Sequence, residues 1–127
     1  MENREIIRQK CWKFIREMNS FSEERLDSTA LRNGKREYTY RQMFRRIDRY
    51  AEVFSALGIT GKNRARAALV SMACVEPIIA FFALNMTGTS VSMLPELDYF
   101  DPDSLKRIVE EEGITDLVVP DIMMPTA

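Results

Sequence analysis

The chain has 127 residues, of which 46% are hydrophobic and 29% are charged, and its formal net charge is −1. This length fits one domain, and the composition supports a buried core and excludes disorder over most of the chain. No stretch approaches the roughly 18 uninterrupted apolar residues that a membrane helix needs, so we expect no membrane insertion.

The first half of the sequence predicts helix, hairpin and helix. Apolar residues at helical spacing indicate a helix over residues 3–18, and a short turn or link follows at 23–27. Asn33 and Gly34 form a hairpin signal within the segment 29–40. Thr39 or Tyr40 then begins an amphipathic helix that Gly58 ends. The apolar stripe of this helix consists of Met43, Phe44, Ile47, Tyr50, Ala51, Phe54 and Leu57.

The second half predicts strands that alternate with helices. "AALVSM" is typical of a buried strand, and a helix that is apolar nearly all round follows it, with Pro77 in the first turn and Gly88 at the end. We expect further strands at 90–94 and 116–119, with a helix over 101–113 between them. This alternation predicts an α/β fold in which a short β-α-β-α-β unit has parallel strands and right-handed crossovers.

Charge and rare residue types limit the possible chemistry. The sequence has no histidine, which excludes Ser-His and Cys-His catalysis and most zinc sites. Cys11 and Cys74 are far apart, without a Cys-x-x-Cys pattern or a signal peptide, so we interpret them as buried thiols of a cytoplasmic protein.

Residues 1–66 carry a net charge of +7 and residues 67–127 carry −8. A basic half can indicate a nucleic-acid partner, but arginines on polar helix faces favour a solvated surface.

The loop at Gly58–Lys62 is the first candidate site, because it contains two glycines and a lysine. Its spacing does not match a P-loop, and it follows a helix whereas a P-loop follows a strand. The segment after the first parallel strand contains no glycine, so the Rossmann fingerprint is absent as well. Neither place is a convincing phosphate site.

Acidic residues supply the other candidates. Glu96, Asp98, Asp101 and Asp103 could bind a metal or act as an acid and base, but a solvated loop with Asp101 or Asp103 capping the next helix is favoured. Glu76 follows the first parallel strand, where α/β folds bind ligands, although a helix-start carboxylate is the simpler interpretation. The remaining motifs are a chance glycosylation sequon at Asn85–Thr87 and a solvated acidic face at Glu110–Glu112.

The order of the motifs provides a resemblance to a known family. The first core motif of adenylate-forming enzymes begins with Leu-Thr-Tyr-x-Glu-Leu, and this sequence has Tyr38-Thr39-Tyr40 and Met43 at the matching positions. The same motif ends in Ala-Leu-Gly, which is matched here by Ala56-Leu57-Gly58. The strand and helix up to Asp98 resemble the next segment of that family, although Asn85-Met86-Thr87-Gly88 departs from its Lys-Ala-Gly ending. The resemblance covers residues 28–121. It implies a partial N-terminal subdomain there, preceded by a helix and link at 1–27 and followed by a tail at 122–127.

The resemblance implies an AMP-forming ligase, such as an acyl-CoA synthetase, which uses ATP and Mg²⁺ to make an acyl-adenylate and then acylates coenzyme A or a carrier thiol. The family's phosphate loop, adenine motif, ribose-binding Asp and catalytic Lys have no counterparts in this sequence. We therefore assign no catalytic, cofactor-binding or metal-binding residue. We expect the chain alone to be inactive, to need the remainder of the enzyme as its partner and to self-associate.

Two other functions stay open at the level of sequence. One is an interaction or nucleic-acid module built on the Arg-rich helix 41–57. The other is a stand-alone binding protein with a ligand near Glu76.

Overall fold

The computed structural model describes residues 17, 20–71 and 74–120. The helix predicted over residues 3–18, apart from helical Glu17, and the tail predicted over 122–127 lie outside the described residues, as does Cys11. None of the helices in the described part is long and apolar enough to cross a membrane.

The described residues form five helices and five strands. In chain order they are α1 (Glu23–Leu26), β1 (Thr29–Asn33), β2 (Arg36–Thr39), α2 (Tyr40–Ala56), β3 (Arg66–Ser71), α3 (Val75–Met86), β4 (Ser90–Pro95), α4 (Glu96–Phe100), α5 (Pro102–Glu112) and β5 (Asp116–Val118). This order confirms the predicted α/β fold, in which a hairpin and an amphipathic helix precede a unit of alternating strands and helices.

The hairpin and α2 form as the local sequence predicts. β1 and β2 pair antiparallel with Asn33 opposite Arg36, and Gly34 takes the left-handed conformation in the turn at φ 63°. Thr39 caps α2, whose buried face is formed by Met43, Phe44, Ile47 and Ala51. Four of the seven residues of the predicted apolar stripe are therefore buried, and Tyr50 and Phe54 pack partly buried against them. Leu57, the last residue of the predicted stripe, is the C-cap residue and is 69% exposed.

The second sheet has three parallel strands in the order β4-β3-β5. β3 lies in the centre, and its residues Ala67–Val70 are completely buried. A strand with hydrogen-bonded neighbours on both sides and helices over both faces has no position for a polar side chain. This explains the continuous apolar run in the sequence.

Helices cover the two faces of this sheet. On one face α3 packs against α2, and Leu84 of α3 belongs to the same buried cluster as Ala67. On the other face Ala68 and Val70 pack with side chains of α4 and α5, such as Tyr99 and Leu105. Adjacent residues of β3 thus contribute to two different layers of the core.

Two sequence interpretations need correction. Residues Glu96–Phe100 were expected to lie in a solvated loop, but they form the single-turn helix α4. Carboxylates in a first helical turn are favoured by the helix dipole, and Tyr99 packs on the core beneath. The turn or link expected at 23–27 contains the short helix α1, whose N-cap Ser22 accepts a hydrogen bond from the backbone N–H of Arg25.

Candidate functional site

The carboxyl ends of the three parallel strands lie at one edge of the sheet, which is where α/β folds bind ligands. Ser71 and Pro95, the last residues of β3 and β4, are partners in the ladder. The residues that follow them are therefore brought together, namely Cys74 and Glu76 at the start of α3 and Glu96 at the start of α4. This edge is the best candidate site in the described part of the chain.

The surroundings of Cys74 disfavour a reactive thiolate. Burial raises the pKa of the Cys74 thiol, and a hydrogen bond with Glu76 and the negative charges of Glu76 and Glu96 raise this pKa further. A thiol acts as a nucleophile only as the thiolate, which positive neighbours or a helix N-terminus favour. At the N-cap of α3 the helix dipole favours the thiolate of Cys74, but burial and the two neighbouring carboxylates outweigh it and favour the neutral thiol.

Glu76 occupies the position predicted for it. It is exposed in the first turn of α3, where the helix dipole favours an acid, and the N-cap residue Cys74 makes no side-chain capping bond. Pro77 in the same turn removes one of the N–H groups that could hold an anion. These observations support a helix-start carboxylate over a ligand-binding one.

The loop that follows α2 is not a phosphate cradle. A cradle needs N–H groups that are free to point at an anion. The N–H groups of Gly58, Thr60 and Gly61 are already bonded: that of Gly58 donates to the carbonyl oxygen of Ser55, and that of Thr60 donates to the carbonyl oxygen of Gly58. The N–H of Gly61 donates to the carbonyl oxygen of Thr87. These three N–H groups are therefore not available to an anion.

Gly61 has a structural role in this loop. A Cβ atom on Gly61 would lie 2.6 Å from the carbonyl oxygen of Gly88, closer than real contacts allow. The backbone of the loop therefore lies directly against the Thr87–Gly88 turn that ends α3. The side chain of Asn63 closes the loop by donating to the oxygen of Gly58 over 2.8 Å.

The acidic candidates separate into structural roles. The Asp101 carboxylate accepts hydrogen bonds from the Asp103 amide at 3.2 Å and from the Ser104 hydroxyl at 3.0 Å, so it caps α5 as one of the two predicted alternatives. Glu96 and Asp98 lie on α4. Within the described ranges, no three acidic or cysteine side chains are placed to hold a metal ion together.

Two of the four arginines on α2 are engaged within the fold. Arg41 forms ion pairs with Glu23 and Asp27, and these hydrogen bonds raise the pKa of its guanidinium. The guanidinium of Arg46 lies 5.0 Å from the ring centroid of Tyr38. Such contacts join the helix to α1 and the hairpin, so they account for part of the basic face without a nucleic-acid partner.

The sequon residues are used by the protein itself. The Asn85 side-chain amide donates to the oxygen of Phe81 over 2.8 Å, and the Thr87 hydroxyl donates to the oxygen of Leu84 over 2.9 Å. Both side chains are partly buried in these bonds. The geometry supports the interpretation of the sequon as chance.

A family model described as "AMP-binding enzyme" matches residues 19–126. The chain belongs to this family. A search of curated protein sequences found no match.

Solved structures with the same fold include adenylation enzymes. The N-terminal subdomain of Klebsiella oxytoca NpsA has a TM-score of 0.70 at 19% identity, covering 87% of this chain and 28% of that one. A variant of E. coli MenE with bound OSB-AMS has a TM-score of 0.62 at 20% identity, covering 87% and 24%. MatB from Rhodopseudomonas palustris has a TM-score of 0.57 at 21% identity, covering 84% and 25%.

This member of the AMP-binding family thus spans 28% or less of the length of those three relatives. The family and the fold that the sequence motifs predicted are both confirmed, and the fold matches part of the N-terminal subdomain of an adenylate-forming enzyme.

The first family motif has a physical explanation in the structure. The Thr39 hydroxyl accepts from the Gln42 amide, and the Gln42 side chain accepts from the Thr39 amide, which together form a capping box. Gln42 stands where the family motif has Glu, and the capping box reveals this match, which was not evident from the residue type alone. The motif ends at Gly58, whose φ of 80° ends the helix. Both halves of the motif are therefore helix boundaries.

Proposed function

We propose that this chain is the N-terminal part of an AMP-forming ligase. The complete enzyme activates a carboxylate with ATP to an acyl-adenylate and transfers the acyl group to coenzyme A or a carrier thiol, as an acyl-CoA synthetase does. The observation that carries the proposal is the family match over residues 19–126, together with the fold of an N-terminal subdomain.

The ligands of similar proteins support a carboxylate-activating role. MenE has been solved with bound OSB-AMS, and the NpsA N-terminal subdomain has been solved in complex with anthranilyl-AMSN and with 3-hydroxybenzoyl-AMSN. We infer that the enzyme to which this chain contributes also activates a carboxylic acid, which becomes the acyl group of the adenylate. The particular acid depends on residues of the enzyme outside this chain.

We further propose that the chain is inactive without the remainder of the enzyme. Adenylyl transfer needs cations and preorganised N–H donors around the phosphates. The N–H groups of Gly58, Thr60 and Gly61 are already bonded to carbonyl oxygens, and the described residues contain no acidic cluster suited to Mg²⁺. These residues therefore do not fit ATP or Mg²⁺, and we derive no catalytic step through them.

A cytoplasmic location completes the proposal. Cys74 carries a free thiol, and unpaired thiols are typical of reducing compartments. Fractionation of the source cells with an antibody against this chain tests the location, and recovery in a secreted or membrane fraction would overturn it.

ATP–pyrophosphate exchange tests the inactivity of the fragment. The purified 127-residue chain is incubated with ATP, Mg²⁺, labelled pyrophosphate and a panel of aromatic and aliphatic carboxylates. We expect exchange no higher than in a blank without protein, while complete MenE with its own substrate serves as the positive control. Exchange above the blank with any carboxylate would refute inactivity, but it would support the ligase assignment.

A separate observation tests the ligase assignment. The reading frame beyond Ala127 is sequenced in the source genome and searched for a Ser/Thr/Gly-rich loop that ends in Lys. The proposal predicts this loop, in the same frame or in an adjacent gene. Its absence from both would contradict the assignment even if the fragment were inactive.

A further inference from the structure

Side chains of α2 and α3 form a hydrophobic groove between the two helices. Phe44 and Ala51 are seven residues apart on α2, so they lie on one side of that helix. Ile78 and Phe82 are four residues apart and likewise share one side of α3. Phe44, Ala51 and Phe82 belong to one hydrophobic cluster, which joins the two helices. We call the surface between these four side chains the α2–α3 groove.

The α2–α3 groove faces away from the sheet. Phe54 of α2 and Leu84 of α3 pack in one cluster with the sheet residue Ala67, so they mark the sides of the helices that face the sheet. Phe82 precedes Leu84 by two residues, about 200° of helical rotation, and therefore lies nearly on the opposite side of α3. Phe82 is only partly buried, and Ile78 beside it is 41% exposed. The groove is thus an apolar surface that another element can cover.

The N-terminal segment, residues 3–18, is connected to one end of this groove. The ring of Phe21 packs edge-on against the rings of Tyr40 and Phe44, with a centroid distance of 5.3 Å in each case. Tyr40 is the first residue of α2. Glu17, four residues before Phe21, is helical. The contacts of Phe21 therefore hold the end of the segment close to the groove at the start of α2.

The sequence of the N-terminal segment offers a surface that matches the groove. Its apolar stripe has the spacing of one helix face and consists of Ile7, Cys11, Phe14, Ile15 and Met18. A helix over the segment would be about 24 Å long, close to the length of about 26 Å that the 17 residues of α2 span. A helix of this kind gains most of its stability from packing of its apolar face. The segment thus has both the length and the apolar face to fill the groove.

We propose that the N-terminal segment forms the helix that its sequence predicts and packs in the α2–α3 groove, antiparallel to α2. The last residues of the segment lie beside Phe21 at the start of α2, so the helix extends from there towards the end of α2. Its apolar stripe covers Ile78 and Phe82, and it adds a third helix to the cluster that joins α2 and α3.

The covalent connection favours this segment over any other occupant of the groove. The three steps from Met18 to Phe21 span at most about 11 Å even in a fully extended chain. The segment is therefore present at the groove at an effective concentration of roughly millimolar or more, so a second copy or a distant part of the enzyme would have to displace it. Residues 1–18 also precede the family match at 19–126, so this packing does not rest on the proposed ligase function.

Cys11 reports on the packing because it lies in the middle of the apolar stripe. In a Cys74→Ser background, Cys11 is the only cysteine of the 127-residue chain. Its alkylation by iodoacetamide is measured in the native and in the urea-unfolded protein at the same pH. We expect the native rate to be about tenfold lower or less, because a packed thiol is shielded from the reagent. Equal rates in the two states would overturn the proposal.

A matched pair of substitutions locates the packed helix. Ile78→Glu places a charge in the groove and should raise the native alkylation rate of Cys11 severalfold, while urea unfolding stays cooperative. Val53→Glu is the control, because Val53 is 52% exposed and follows Phe44 by nine residues, about two and a half turns, on the opposite side of α2. It should leave the rate unchanged. Equal effects of the two substitutions would show that the segment does not pack in the groove.

Cross-linking distinguishes the N-terminal segment from a second copy and from another part of the enzyme. In the Cys74→Ser background, Ile78→Cys adds a thiol in the groove, and a short bismaleimide should join it to Cys11 within one chain. The same reagent should not join Cys11 to the thiol of the Val53→Cys control. Mass spectrometry identifies the joined peptides, and gel electrophoresis separates links within a chain from links between chains. Links between chains only, or no link from Cys11 to position 78, would contradict the proposal.

Discussion

Thr39 and Gln42 bond to each other twice across the first turn of α2. The backbone N–H of Thr39 donates to the Gln42 side-chain oxygen over 2.9 Å, and the backbone N–H of Gln42 donates to the Thr39 hydroxyl over 3.2 Å. Two N–H groups at the start of the helix are thereby satisfied. The first family motif thus contains the N-terminal cap of α2.

Removal of this cap should cost stability. Thr39→Ala removes the hydroxyl acceptor, and we expect the free energy of unfolding to fall by about 1 kcal/mol in urea denaturation. Thr39→Ser and Gln42→Glu keep both bonds and serve as controls with changes within about 0.5 kcal/mol. A Thr39→Ala protein as stable as the wild type would show that the capping box does not stabilise α2.

Neighbouring isoleucines on α3 should respond very differently to truncation. Ile79 is completely buried, so Ile79→Ala leaves a cavity and should destabilise the protein by about 2–5 kcal/mol. Ile78 is 41% exposed, and Ile78→Ala should cost less than about 1 kcal/mol. Both substitutions change the helix propensity equally. Similar losses in thermal or urea unfolding would contradict the orientation of α3.

Gly61 and Gly34 should tolerate different substitutions. Gly61→Ala brings a Cβ to 2.6 Å from the oxygen of Gly88 and should cost about 1–3 kcal/mol, and Gly61→Asn at least as much. At Gly34 no atom lies within 4 Å of an added Cβ, so only its φ of 63° opposes a side chain. Asn tolerates this conformation, so Gly34→Asn should cost less than Gly34→Ala. The reverse order at either position would refute the steric explanation.

The thiol of Cys74 should ionise at unusually high pH. In a Cys11→Ser background, we expect the rate of alkylation of the native protein to rise at higher pH than in the urea-unfolded chain, since burial and Glu76 raise the pKa of Cys74. The Glu76→Gln substitution should lower the pH at which alkylation of the native protein is half-maximal, towards the value for the unfolded chain. A native midpoint at or below the unfolded one would contradict the structure.

The same pKa shift has a consequence for stability. The folded protein holds the Cys74 proton more tightly than the unfolded chain does. This contribution to stability is complete below the pKa of the unfolded thiol, ordinarily 9.0, and is lost as pH rises through the higher folded pKa. The stability difference between wild type and Cys74→Ala should therefore decrease at alkaline pH.

The sequence predicted those parts of the fold that local rules control. Asn33 and Gly34 marked the hairpin, Thr39 and the apolar period marked α2, and the alternation of strands and helices predicted the parallel sheet. α4 was missed because five residues are too few for a periodic pattern, and its core contact through Tyr99 depends on the tertiary structure.

The candidate site was less accessible to sequence reasoning. Glu76 was placed correctly because it directly follows a predicted strand. The proximity of Cys74 to Glu96, 22 residues later, depends on the pairing of Ser71 with Pro95, and strand register is not readable from a single chain. The same holds for Gly61 and Gly88, whose close approach accounts for a glycine that sequence alone could not explain.

The central position of β3 determines the order in which this sheet can be completed on the ribosome. β3 is synthesised before both of its neighbours, and Ala67 pairs with Asp116, which lies 49 residues later. At about 5–20 residues per second, the most apolar strand of the protein waits roughly 2–10 s for its last partner. During that interval the side of β3 that pairs with β5 has no strand partner, so the apolar segment Ala67–Val70 completes its hydrogen bonding last on that side.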